Sequence, residues 1–411
     1  MKRLGLISSL GLTFLSAIGQ KELAPNYRAF VVRPDSNTVV FNMQVSKEKT
    51  GIFFYIINAD EKIKVGPVSV TNDSVNFEMP VFESSFRTKR NADGSFQGIW
   101  NKGTTGEFQD WPFIAYPNQL YRFIKNQGSA VYNISGKWDV TITRPNGTPR
   151  KAVAEFEQMG DKLTGSFITP SGDYRFLEGI VTGDSLKLST FDGSHAYTFY
   201  AKIASSEKIS GGVYLAGYAG RETWSAKKDN DVKEPQQEQP TKLKPGESKL
   251  NFTFNDLEGK PVSINDERFK NKVVVVQLMG SWCPNCMDET KFLSEFYNNY
   301  RSKGVEIVSL AYEYSTDIER SRKSLGKFQK LFNVQYPMLI TGVTSTDAQK
   351  TEKTLPQLTP ISSFPTSIFL DRKGNVKEVH SVFYGPGTKQ YFEEYKKIFT
   401  SIVEGLLKEK N

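Results

Sequence analysis

Cysteine and histidine are nearly missing from this sequence: 411 residues hold two of each. A small disulfide-stapled scaffold is thereby excluded, because such folds need several bridges in place of a large core. His195 and His380 lie far apart and, with two cysteines, make a poor zinc set, so no metal is expected; no cofactor is expected either. Blocks of one charge are also lacking. The formal net charge is +8, yet residues 251–411 carry 22 Lys and Arg against 19 Asp and Glu, and the remainder 31 against 26. With no basic tail or stripe, no nucleic-acid partner is expected. Beyond the N-terminus no apolar run approaches the length of a membrane span, so no transmembrane segment is expected after removal of a leader.

What is present divides the chain. A length of 411 residues exceeds what one hydrophobic core usually holds, which predicts two or three domains. The start, MKRLGLISSLGLTFLSAIGQ, places Lys2 and Arg3 before an apolar stretch from Leu4 to Ile18, with small residues at Ala17 and Gly19. That order reads as a signal peptide over residues 1–19 and predicts an exported product, periplasmic or in the cell envelope. Residues 20–135 and 136–228 read as two β-rich domains. Short aromatic and β-branched runs such as GIFFYIINAD and KWDVTITRPNG are separated by Gly, Asn, Asp and Pro, and no helical period is sustained. Between Lys137 and Ala226 about eight strand candidates, set off by turn signals such as RPNGT and FDGS, predict a meander, barrel or sandwich. Residues 229–250 have mixed charge, prolines and almost nothing apolar, which predicts a disordered linker. From Asn251 the pattern becomes α/β. KVVVVQLMG suits a buried central strand, Phe292, Phe296 and Tyr300 recur at helical spacing after Pro284, and KQYFEEYKKIFTSIVEGLLKEK is an amphipathic helix. A sheet with helices on both faces is expected.

The two cysteines, Cys283 and Cys286, stand together in GSWCPNCMDE. As a staple they are poorly placed, since chain entropy gives a four-residue loop only about 2 kcal/mol. Thiol chemistry suits the spacing better. Cys283 follows the apolar strand and opens the helix, where unpaired N–H groups and the helix dipole favour the thiolate that attacks a disulfide. Pro284 suits the first helical turn because its missing N–H would be unpaired there. In an oxidising compartment such a pair is either kept reduced or used as an oxidant.

These residues carry a resemblance. A buried strand, then WCPNC, then a helix, with SFPTSIFLDRKGNV further on, resembles the TlpA/ResA-like thiol-disulfide oxidoreductases of the thioredoxin superfamily over residues 251–411. The expected architecture is therefore multidomain: an N-terminal all-β region followed by a C-terminal α/β thioredoxin-like domain. The resemblance implies that Cys283 attacks and the more buried Cys286 resolves the mixed disulfide. It implies a cis Pro365, with Phe364 before it offering backbone groups to an extended substrate, and places Trp282 and Pro284 on the same substrate surface. The family's glutamate three residues after the second cysteine falls on Glu289, which would take the proton of Cys286; Glu313, in LAYEY, is a second candidate. Gln277 stands where thioredoxin buries an aspartate and cannot shuttle a proton. Lys291 stands where proline is common in the family. Gly280 replaces the threonine that a peroxiredoxin needs, which disfavours peroxidase activity. The implied partner is a protein thiol or disulfide, with a membrane electron donor if the enzyme works as a reductase. Reductase is the first expectation; a disulfide oxidase or isomerase, or an envelope binding module carrying a redox domain, are the alternatives.

Overall fold

The computed structural model describes residues 22–125 and 128–409; the expected signal peptide at 1–19 lies outside the described residues. Among the described residues from Asn26 to Lys228 every regular element is a strand. The physical reason is alternation: in Asn26–Val32, Tyr27, Ala29 and Val31 are buried while their neighbours are partly exposed, so one face of the strand enters the core. Nine strands between Asn26 and Pro117 form one antiparallel sheet, and its two edge strands, Glu61–Val65 and Ser69–Val70, are neighbours in sequence. The sheet therefore curls toward itself, with the Val68 amide donating to the Ile52 carbonyl. Its core is aromatic, built on Tyr27, Phe54, Phe77, Phe86 and Phe96.

The second sheet closes completely. From Gly136–Thr143 onward each main strand pairs antiparallel with the next, and the last, Gly220–Lys228, returns to the first. The result is an eight-stranded barrel without open edges. Trp138, Phe167, Phe199 and Trp224 fill it. A two-residue strand, Gly172–Asp173, extends the rim. Phe191 of the barrel packs into the first sheet's core, stacked on Phe41 at 4.3 Å.

The C-terminal unit is a seven-stranded sheet with Val273–Met279 near its middle, parallel to Val305–Ala311 and antiparallel to Thr366–Leu370. All seven residues of the central strand are buried, as a strand covered on both faces requires. Val273, Val275 and Met279 meet α1 (Pro284–Tyr300), α2 (Ile318–Phe332) and, beyond the short α3 (Lys350–Thr354), α4 (Gln390–Lys408). Val274, Val276 and Leu278 face Phe252, Val262, Leu355 and Leu358. The three long helices thus share one face, instead of being divided between the two. Successive right-handed crossovers moving in one direction along a sheet put α1 and α2 on the same side, and the other is covered by extended chain, a helical turn at Glu267–Phe269 and the short α3.

Residues 229–250 differ from the expected disordered linker. They run as a strap on the C-terminal unit, with β-bridges Leu243 to Leu358 and Lys249 to Asn375. The buried Thr241 donates to the Pro360 carbonyl, and Gln237 donates to Ser363 and to the Ser381 carbonyl. Composition measures apolar burial only; here backbone and amide groups are satisfied by a surface already folded.

Candidate redox site

Helix α1 starts at the motif for local reasons. Cys283 is its N-cap in extended conformation, and Pro284 follows at the first helical position. The Cys286 amide donates to Cys283 Sγ at 3.1 Å, so sulfur stands where a capping oxygen would. A donor aimed at that sulfur favours the thiolate over the thiol. Cys283 and Cys286 are joined as a disulfide; Cys286 is fully buried and Cys283 is 6% exposed.

Three further predicted residues gather around this pair. The Phe364–Pro365 peptide is cis, and the Phe364 carbonyl oxygen lies 3.7 Å from Cys283 Sγ. Trp282 donates from Nε1 to the Tyr312 carbonyl at 2.8 Å, stacks on Tyr314 and meets the Phe364 ring edge-on at 5.9 Å. The loop before Thr366–Leu370 thus reaches the end of the central strand, which joins the two parts of the candidate substrate surface.

Glu289, one turn beyond Cys286, is buried rather than solvated. Its carboxylate accepts from Tyr395 Oη at 2.6 Å, Gln277 Nε2 at 2.8 Å and Ser367 Oγ at 2.9 Å. Burial pushes its pKa up; the three donors oppose that shift without cancelling it. Gln277 is itself oriented, since its Oε1 accepts from Ser309 Oγ at 2.7 Å. It shuttles no proton but holds the carboxylate that could. Lys291 is exposed and α1 continues through it. Tyr395 and Ser367 escaped the sequence reading, because partners 106 and 78 residues away leave no local pattern.

Glu313 sits elsewhere. Its carboxylate accepts from the Ser281 amide at 2.8 Å and the Ser281 hydroxyl at 2.5 Å, anchoring the turn that enters the motif. Burial raises it to about 7. His195 stacks on Tyr197 beside Asp192, and His380 packs on Phe369.

The β-rich units reach this site directly. Asn285, between the cysteines, donates to the Asp173 carbonyl at 3.3 Å, and the Ser194 hydroxyl donates to the Trp282 carbonyl at 2.8 Å. Arg175 binds Asp288 of α1 through Nε at 2.7 Å and a terminal nitrogen at 3.0 Å. The same guanidinium meets Asp192 at 3.0 Å and Glu61 at 2.5 Å. Neither Arg175 nor Asp288 belongs to a recognisable motif.

Comparison with known proteins places this geometry. A family model described as Redoxin matches residues 244–395. Thiol-disulfide oxidoreductase ResA of Bacillus thuringiensis is 32% identical over 160 residues, covering 39% of this chain and 80% of the relative. The protein of the same name from Bacillus anthracis is 30% identical over 159 residues, with the same two shares. Among solved structures, a thiol:disulfide interchange protein of the thioredoxin family from Chlorobium tepidum matches at 21% identity and a TM-score of 0.29, covering 39% of this chain and 95% of its own. Through its C-terminal segment, this chain belongs to the family of the ResA thiol-disulfide oxidoreductases.

Proposed function

We propose that the chain is an exported protein-disulfide reductase. The observation that carries this reading is the pairing of a sulfur capped by a helix amide with a buried carboxylate one turn beyond the second cysteine. In the reduced enzyme the Cys283 thiolate attacks one sulfur of a substrate disulfide; a Cys283–substrate bond forms and the other substrate sulfur leaves as thiolate. Cys286 then gives its proton to Glu289 and attacks Cys283 Sγ. The mixed disulfide breaks, the second substrate thiolate departs, and the Cys283–Cys286 disulfide remains. The substrate gains two electrons and the enzyme loses two. A carboxyl whose pKa is raised by burial suits the transfer, because it can take and return a proton closer to neutral pH.

Trp282, Pro284, Phe364 and Pro365 form the surface for the substrate chain, with the Phe364 backbone pairing to it. In an oxidising compartment the dithiol must be regenerated by an electron donor, which we assign to a membrane dithiol protein.

The test is a redox titration of the full chain in dithiol buffers, reading alkylated thiols by mass, with Cys283→Ser as control. A midpoint near or below about −270 mV supports a reductase, whereas one near about −120 mV makes the protein a disulfide donor and overturns the direction. Glu289→Gln should slow resolution of the mixed disulfide roughly 100-fold, and the loss should shrink as pH rises and Cys286 ionises unaided.

A further inference from the structure

Attack by Cys283 requires a substrate sulfur to approach it, and the approach is occupied. Cys283, Pro284, Asn285 and Cys286 are all buried, although a helix N-terminus of this kind has to meet another protein. Part of what covers them belongs to the β-rich units. Asn285 is 7% exposed and tied to the Asp173 carbonyl, while Ser194 holds the carbonyl of Trp282, the residue before the nucleophile. Gly172, at φ +131°, comes so close that a Cβ there would stand 2.6 Å from Asn285 Nδ2. Beside Trp282, where Phe82, Glu83, Ser194 and Tyr314 close on it, the cavity between the units is about 10 Å³, room for one water at most.

The cover has one ionic tie drawn from all three units. Arg175 stands on the barrel rim and is fully buried; its guanidinium meets Glu61 of the first sheet, Asp192 of the barrel and Asp288 of α1. Asp288 lies two residues after Cys286, so the tie acts on the first turns of the redox helix. Polar ties such as Arg320 with Glu83 lie around it, of the kind found at interfaces between domains that separate.

We propose that the two β-rich units are the specificity element of this enzyme. With Arg175 on Asp288 they form a lid that excludes protein disulfides from Cys283, and separation of that contact admits them. This rests on Cys283 being the attacking sulfur, and the experiment keeps the two ideas apart. The reduced full chain is assayed for alkylation by iodoacetamide, for alkylation by a maleimide carrying a polyethylene glycol chain, and for reduction of insulin. Asp288→Asn should raise the polymer and insulin rates at least roughly tenfold, the factor that about 1.4 kcal/mol of lost closure produces, with the redox midpoint unchanged. Ser194→Ala, which removes one neutral hydrogen bond, should raise them in the same direction by less and serves if Asp288→Asn does not fold. Insulin and polymer rates equal to wild type in the folded variants overturn the lid. Failure of iodoacetamide to modify Cys283 in any form overturns the underlying assignment instead.

Discussion

The two junctions of this molecule are built differently. Where the first sheet meets the barrel, an aromatic side chain crosses: Phe191 lies 4.3 Å from Phe41 and 4.8 Å from Trp100, inside the first sheet's core. Buried polar groups pair across it as well. The buried Arg122 donates to the Ile57 carbonyl, Asn58 Oδ1 and Ser189, and Asn58 donates to the Phe191 carbonyl at 2.8 Å. Where the barrel and first sheet meet the redox unit, charges and hydrogen bonds predominate: Arg175 with Asp288, Arg320 with Glu83, Ser194 with Trp282. Apolar contacts cross there as well: Val81 and Phe82 enter the redox unit's core, Phe82 meeting Phe328 at 6.2 Å, and Tyr391 packs with Val153 and Ile168. Burial of apolar surface has no off switch near neutral pH, whereas a cluster of buried carboxylates does. The first junction therefore makes the β-rich units one body, and the second lets that body respond to conditions.

Breaking the first junction should cost most. Phe191→Ala is expected to lower stability by about 3–5 kcal/mol, from lost transfer energy and the cavity left in a packed aromatic core. Urea denaturation measures this, and a loss below about 1 kcal/mol would remove Phe191 as the link. Next comes Arg175→Leu. It leaves the buried Asp192 and Asp288 and the half-buried Glu61 without this guanidinium and should cost about 3 kcal/mol in the same assay.

The third effect is pH, and it sharpens the contrast. Burial raises Glu61 to about 7, although Arg175 opposes the shift and Asp288 and Asp192 add to it; Asn58 is its remaining hydrogen-bond partner. Burial likewise raises Asp173 to about 6. A group whose folded pKa is raised contributes stability at low pH that is lost as pH climbs through the folded value. From pH 5 to 8 the Arg175 cluster, which joins all three units, should therefore weaken by about 2 kcal/mol through Glu61, and Glu61→Gln should flatten that slope in calorimetry. Asp192 goes the other way: despite burial, His195 and Arg175 hold it far below its ordinary value, so its contribution fades only in strong acid. The smallest effect belongs to Arg320→Ala, whose pair with Glu83 is about a fifth exposed on each side; less than about 1 kcal/mol is expected, shrinking further in high salt.

Legibility followed range along the chain. The redox motif could be read because strand, N-cap, proline and both cysteines are contiguous, so local rules alone place Cys283 at a helix N-terminus. The barrel was legible through strand alternation and turn residues, both short-range signals. Glu289 was legible as a position, but its cradle was not: Gln277, Ser367 and Tyr395 come from two strands and α4. The strap at 229–250 was misjudged because its order depends on a partner surface and not on its own composition.

By itself the sequence determined the thiol pair, the helix that opens at it, the α/β unit that carries it and the β character of the rest, since each depends on propensity or periodicity within a few residues. Only the tertiary structure decided that Glu289 is buried, that the β-rich units lie across Cys283, and that Arg175 joins all three units. Those facts depend on a desolvated carboxylate and a buried guanidinium meeting groups more than a hundred residues away. No pattern along the chain encodes such meetings; the packed fold creates them.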